Sequence, residues 1–155
     1  MAAATPAPAT IHASAILVGA RALLIRGPAG SGKSRLALEL LDAARTGSLV
    51  FAKLVADDRV HLKAASGRLL ASPPAELAGL LEVRGVGILK LDHEPSAVVG
   101  LVVDLGVEAA ERLPDPRQRE TAIEGVRLPR LAVAPGAAPL PGVLALITSP
   151  HDAWI

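Results

Sequence analysis

The sequence predicts a mixed α/β domain with many strands and few helices, organised around one strand–loop–helix unit. Three observations predict it. Ala22 to Arg26 is a short apolar run that ends at Gly27, a glycine-rich loop follows, and Ser34 to Arg45 has helical spacing. The other apolar runs, such as Ile11–Gly19 and Ala97–Leu105, are short and bounded by turn residues. The chain has 155 residues, 51% of them apolar and 20% charged, which suits one folded domain with a real core.

The elements follow in order. Met1 to Thr10 is rich in Ala, Pro and Thr and reads as a loose tail; the domain is expected over 11–155. Ile11 to Gly19 reads as a strand, Gly19-Ala20-Arg21 as a turn, and Ala22 to Arg26 as a buried strand. In the helix from Ser34, the apolar stripe is Leu36, Ala37, Leu40, Leu41 and Ala44, and Thr46-Gly47-Ser48 ends it. Leu49 to Ala56 reads as a strand leading into Asp57-Asp58. Val60 to Ala64 and Leu69 to Ala71 flank a hairpin turn at Ser66-Gly67-Arg68. Ala75 to Leu81 is expected to be a short helix. Glu82 to Leu91 contains Gly85 and Gly87, which suits a bent strand or a loop. Ala97 to Leu105 is a strongly apolar strand. Gly106 to Pro129 is polar and is expected to be a surface loop with one helical turn. Leu131 to Ala134 reads as a strand, Ala137 to Pro141 as a loop, and Val143 to Ile147 as a final strand or helix.

Composition excludes several functions. Phe51 and Trp154 are the only aromatic residues, too few for a platform that stacks bases. The formal net charge is +1 with no dense basic run, so nucleic-acid binding has no electrostatic footprint. The absence of cysteine removes disulfides, thiolate catalysis and thiolate-bound zinc. No apolar run approaches the roughly 18 residues of a membrane span. No membrane role and a cytoplasmic location are expected.

Gly27-Pro28-Ala29-Gly30-Ser31-Gly32-Lys33-Ser34 matches the Walker A pattern Gly-x-x-x-x-Gly-Lys-Ser in full. Glycines let backbone N–H groups turn inward and approach phosphates closely. The lysine supplies a charge for the β- and γ-phosphates, and the serine a hydroxyl for Mg2+. The helix start adds free N–H groups and a favourable dipole. The expected ligands are ATP and Mg2+.

A phosphate loop works with a carboxylate that holds or hydrates the metal. Asp57 and Asp58 end an apolar strand, and consecutive strand residues point to opposite sides, so the two acids divide their tasks. A polar strand-ending turn is the other reading of this pair. His12 opens the strand before the phosphate-loop strand; a lone histidine there is more often an ordinary surface or core residue. Glu82 and Arg84 sit among apolar residues and glycines, where charges are paired or functional. Arg112 lies in a charged segment, where simple solvation is the plainer account.

Four segments in this order resemble the catalytic domain of the bacterial HPr kinase/phosphorylase family. They are Ile11-His12-Ala13-Ser14, the phosphate loop, Leu54-Val55-Ala56-Asp57-Asp58-Arg59-Val60, and Glu82-Val83-Arg84-Gly85-Val86-Gly87-Ile88. The last is the most specific; Glu111-Arg112-Leu113-Pro114 resembles a family Asp-Arg-Leu-Gly segment more weakly. The match runs from Ile11 to Ala138. The resemblance implies a P-loop variant with a mixed sheet, similar to phosphoenolpyruvate carboxykinase. It implies an ATP-dependent protein serine kinase acting on an HPr-like phosphocarrier of a bacterial phosphotransferase system. In that family pattern Asp57 is the general base, Lys33 grips the phosphates, and Ser34 and Glu82 are Mg2+ ligands supported by Asp58. His12 matches an active-site histidine, and Arg112 would stabilise the transferring phosphoryl group.

The sequence departs from the family in three places. Family members carry a sizeable N-terminal domain, whereas here only Met1 to Ile11 precede His12, as in short forms found in alphaproteobacteria. Leu89 to Ser96 lacks the family's longer Gly/Arg stretch. Ala134-Pro135-Gly136-Ala137-Ala138 lacks both arginines of a family loop linked to dephosphorylation, so weak phosphorylase activity is expected. The family forms homo-oligomers, and one is compatible with this chain. Two further readings stay open. One is another small P-loop kinase, with Arg112, Arg117 and Arg119 over its substrates. The other is a non-catalytic nucleotide sensor that partners a two-component sensor kinase or a phosphocarrier.

Overall fold

The computed structural model describes residues 9–149. The expected tail therefore lies outside the described residues up to residue 8, as does Trp154, and the first strand, β1, starts at Thr10. β1 (Thr10–Val18) turns at Gly19-Ala20 into antiparallel β2 (Arg21–Arg26). Helix α1 (Lys33–Arg45) follows the glycine loop, and β3 (Ala52–Ala56) returns antiparallel to β1. β3 is shorter than expected: Leu49 to Phe51 precede it, and Leu49 instead packs into the core under α1.

β4 (Arg59–Ala65) and β5 (Arg68–Ser72) form the expected hairpin. β8 (Ala97–Asp104) is parallel to β2 and antiparallel to β5. β4 also pairs with the start of β1, at Thr10 to His12. The strands β2, β1, β4, β5 and β8 thus close on themselves. The closed ring encloses one core, and α1 covers a second core on the outer face of β2 and its neighbours.

Alternation along β2 divides its side chains between the two cores. Leu23 and Ile25 pack with Leu36 and Leu40 of α1, while Ala22 and Leu24 face the ring interior. β2 is buried on both faces, which is why its sequence is a continuous apolar run rather than an alternating one. The ring interior interleaves small residues, among them Ala13, Ala15, Ala56, Ala71 and Ala97, with larger ones such as Leu24, Leu69 and Val102. Each fully buried leucine on the helix side contributes about 1.5–3 kcal/mol.

Three expectations are corrected. Ala75 to Leu81 is not a helix: only Ala75–Leu77 makes a 3-10 turn, and Leu80 opens β6 (Leu80–Val83). Gly79 has a φ of 78°, and its carbonyl accepts from Leu91 N, so the chain is drawn into pairing there. β6 pairs with β7 (Gly87–Lys90) as a separate hairpin, which resolves the choice at 82–91 in favour of a strand pair. Gly106 to Pro129 is not all loop. It holds β9 (Glu120–Ile123) and the start of β10 (Val126–Ala132), joined by Glu124-Gly125, both at positive φ. That is a two-residue mirror-type turn, and Glu124 hides it because the turn's usual first residue is Asn, Asp or Gly rather than Glu. β10 then lies parallel to β8. Of the expected strand at 131–134, only Leu131 and Ala132 are strand, as the end of β10; Val133 and Ala134 lie beyond it. Residues 140–148 form a helix, α2 (Leu140–Thr148), whose Val143 is buried against the α1 core.

Candidate active site

The glycine loop leaves the end of β2 and enters α1 through left-handed backbone at Gly30 and Gly32. Gly32 caps the helix at φ 99°, in the left-handed region. A Cβ on Gly27 would lie 2.5 Å from Ser31 Oγ and 3.1 Å from Leu105 Cβ and O. The loop is therefore pressed against the end of β8, and Leu105 N donates to Arg26 O at 2.8 Å. Lys33 is buried, and its Nζ donates to the carbonyls of Gly27 and Pro28 at 2.8 and 3.0 Å. Burial lowers the Lys33 ammonium below the usual lysine value, against the opposing attraction of Asp57 and Asp58. Ser31 Oγ is buried with no hydrogen-bond partner among the described residues. A buried, unpaired hydroxyl inside a loop of this sequence fits a phosphate oxygen as its missing partner.

Asp57 stands at the centre of the site and is 4% exposed. β1 and β3 slip register at Val55: Ala15 faces Ala56, whereas Ile16 faces Leu54. Val55 and Ala56 both pack into the ring interior, and the next residue, Asp57, meets the α1 side. There it accepts from Ser14 Oγ at 2.6 Å and from Ser34 Oγ at 2.9 and 3.1 Å. Glu82 N donates to its Oδ2 at 3.2 Å. One carboxylate thus joins β1, the head of α1 and the β6–β7 hairpin.

Asp58 goes the other way: the two acids lie in the bend between β3 and β4 rather than in a strand, so the left-handed turn and not strand alternation separates them. Asp58 is exposed, adopts a φ of 68°, and its Oδ1 lies 3.1 Å from His12 Nε2. The Glu82 side chain is exposed, as is that of Arg84; Glu82 touches Asp57 through its backbone. Arg112 is exposed and lines a hollow of about 260 Å³ with Ala134, Ala137, Pro139 and Gly142. Ser34, Asp57 and the Glu82 backbone meet through hydrogen bonds, Lys33 is held by the loop carbonyls within reach of the Asp57 and Asp58 charges, and His12 and Asp58 form an ion pair of their own. Among the described residues, no hydrogen bond or ion pair joins Arg112 to either group.

Sequence reasoning missed the partners that the fold brings in. Ser14 lies in a quoted segment, but nothing in the sequence marks its hydroxyl as a donor to Asp57. Asp104 ends β8 beside Arg26, which ends β2, and Arg130 of β10 joins them. One signal was readable: Val102-Val103-Asp104 ends an apolar strand in an acid just as Val55-Ala56-Asp57 does.

No group of three or more His, Asp or Glu among the described residues is arranged to hold a metal on its own. A divalent ion here would rest on Ser34, a carboxylate and phosphate oxygens together, the usual pattern for Mg2+. The Ser34 hydroxyl donates its proton to Asp57, which leaves its oxygen lone pairs for a cation, so the donor set fits. No helix among the described residues is long and apolar enough to cross a membrane.

The fold and the site define a mixed-sheet α/β protein with a strand–glycine loop–helix unit and a carboxylate at the helix head. A family model for the HPr Serine kinase C-terminal domain matches residues 5–134, and the chain belongs to that family. The HPr kinase/phosphorylase of Xylella fastidiosa is 35% identical over 127 residues, which cover 77% of this chain and 38% of that protein. That of Streptococcus thermophilus is 33% identical over 136 residues, covering 80% and 41%. The solved structure of the Hpr(Ser) kinase/phosphatase from Coxiella burnetii superposes with a TM-score of 0.71 at 26% identity, over 90% of this chain and 88% of that one. The chain thus spans about two fifths of the length of these two curated relatives.

Proposed function

We propose that the chain transfers the γ-phosphoryl group of ATP, with Mg2+, to a serine of an HPr-like phosphocarrier protein. The observation that carries this reading is the contact of Asp57 with Ser34: a buried carboxylate touches the last residue of the phosphate-loop motif. Membership of the HPr kinase family and the relatives named HPr kinase/phosphorylase support the choice of acceptor.

Residues Gly27 to Ser34 hold the triphosphate through inward N–H groups and the start of α1. Lys33 exchanges the Gly27 and Pro28 carbonyls for β- and γ-phosphate oxygens. Asp57 receives the proton of the acceptor hydroxyl as the serine oxygen forms its bond to the γ-phosphorus. The bond from that phosphorus to the bridging oxygen breaks, and ADP leaves with the electron pair. A bound Mg2+ supplies neutralisation of phosphate charge. Ser34 and Glu82 would hold that ion, with Asp58 in support. His12 holds Asp58 in place at 3.1 Å. Arg112 stabilises charge on the moving phosphoryl group when its segment meets the nucleotide.

Phosphorylase activity is weak in this reading, because Ala134 to Ala138, beside Arg112, carries no arginine. A cytoplasmic location accords with this chemistry. The test is to mix the protein with an HPr-type phosphocarrier, Mg2+ and γ-labelled ATP. Label on a serine supports the proposal. Nucleotide binding without transfer to any such protein favours the non-catalytic sensor instead.

A further inference from the structure

Asp104 is a buried carboxylate that the reaction described above does not use. It is 8% exposed and accepts three hydrogen bonds from two arginines. Arg26 Nε donates to Oδ1 at 2.7 Å and Arg26 Nη2 to Oδ2 at 2.8 Å, a two-pronged pairing. Arg130 Nε donates to Oδ2 at 2.6 Å. Burial would push the Asp104 carboxyl up, but these hydrogen bonds and charges outweigh it and hold it below the usual carboxylate range. One anion therefore serves two half-buried cations, and its loss would leave two guanidinium groups side by side.

The backbone around the three residues shows what they hold. Arg26 immediately precedes Gly27, the first residue of the phosphate loop. Asp104 and Leu105 open the segment 106–119 that carries Arg112. Val133 N donates to Asp104 O, and Val107 N to Val133 O, which fixes the start of that segment. Its end is held by Arg130, whose N donates to Arg119 O at 2.8 Å and whose Nη1 donates to Gln118 O at 3.3 Å.

We propose that Asp104 is a positioning residue: through Arg26 and Arg130 it locks the phosphate loop and both ends of the Arg112 segment into one arrangement. The role of Arg112 in this statement rests on the function proposed above; the mechanical link does not. Nucleotide held by the loop and the arginine that approaches it then share one anchor.

Hydrogen exchange on the full chain tests the link without any activity. In Asp104→Asn, amides of 27–34 and of 106–119 should both exchange about tenfold faster, while the β4–β5 hairpin keeps its protection. A folded variant in which only one segment, or neither, loosens overturns the proposal. If Asp104→Asn fails to fold, Arg26→Gln and Arg130→Gln take its place. The first should loosen 27–34 and the second 106–119, and protection unchanged in either variant overturns the link equally. The phosphotransfer arm is a double-mutant cycle. Arg112→Ala should cost less in the Asp104→Asn background than in the native one, because the arginine is already misplaced. Losses that simply multiply would reject the coupling. Absence of transfer in the native protein would reject the kinase reading and leave the exchange result standing.

Discussion

The hydroxyl of Ser34 lies 2.9 Å from Oδ1 and 3.1 Å from Oδ2 of Asp57, so the phosphate-loop motif and the acid that follows β3 form one unit. The two residues are distant in sequence and arrive from different elements. β3 carries Asp57 to the head of α1, and the register slip at Val55 determines which of the paired acids arrives there.

Replacing Asp57 with Asn should remove the base while keeping an acceptor for Ser14. Transfer of labelled phosphate to an HPr-type protein should fall about 100- to 10,000-fold. Nucleotide binding, followed by a fluorescent ATP analogue, should change little, because the loop backbone is untouched. Near-native transfer would take Asp57 out of the role.

Ser34→Ala removes the hydroxyl that faces both Asp57 oxygens. The Mg2+ concentration needed for half-maximal transfer should rise about ten- to a hundredfold. Titration of Mg2+ at saturating ATP measures it, and an unchanged requirement would place the metal elsewhere.

Asp104 makes stability depend on pH on the acid side. Its carboxyl is held below the usual range by Arg26 and Arg130 despite burial. A carboxylate with a lowered folded value contributes its full stability above the unfolded value. It loses that contribution as pH falls through the folded one. The stability gap between the native protein and Asp104→Asn should be constant above about pH 5 and shrink below about pH 4. Urea unfolding at stepped pH reads this directly.

The ring interior holds small side chains among larger ones. Ala15, fully buried between sheet halves, should not accept a larger group: Ala15→Leu should destabilise by about 1–3 kcal/mol through overpacking. On the helix side the failure is opposite in kind. Leu40→Ala leaves a cavity and should cost about 2–5 kcal/mol. Denaturant midpoints for the two variants test both cores.

The sequence by itself determined the local units. The glycine loop, the stripe of α1, the β4–β5 hairpin and the Asp57-Asp58 pair were all legible, because each depends on neighbours along the chain. Glycine conformations, helical spacing and strand alternation act within a few residues. Where a local signal was weak or contrary, the reading failed: the turn at Glu124-Gly125 uses an acid in an unfavourable conformation, and Leu80-Leu81 joins a strand although its spacing also suits a helix.

Only the tertiary structure decided the company each residue keeps. Ser14 reaches Asp57 because β1 lies beside β3. Arg26, Asp104 and Arg130 meet because β2, β8 and β10 run parallel and end at the same level. The closure of the ring through β1 and β4 is equally unreadable from any one strand. Strand pairing is set by long-range packing of faces against a shared core, and no single segment carries the register of its partner.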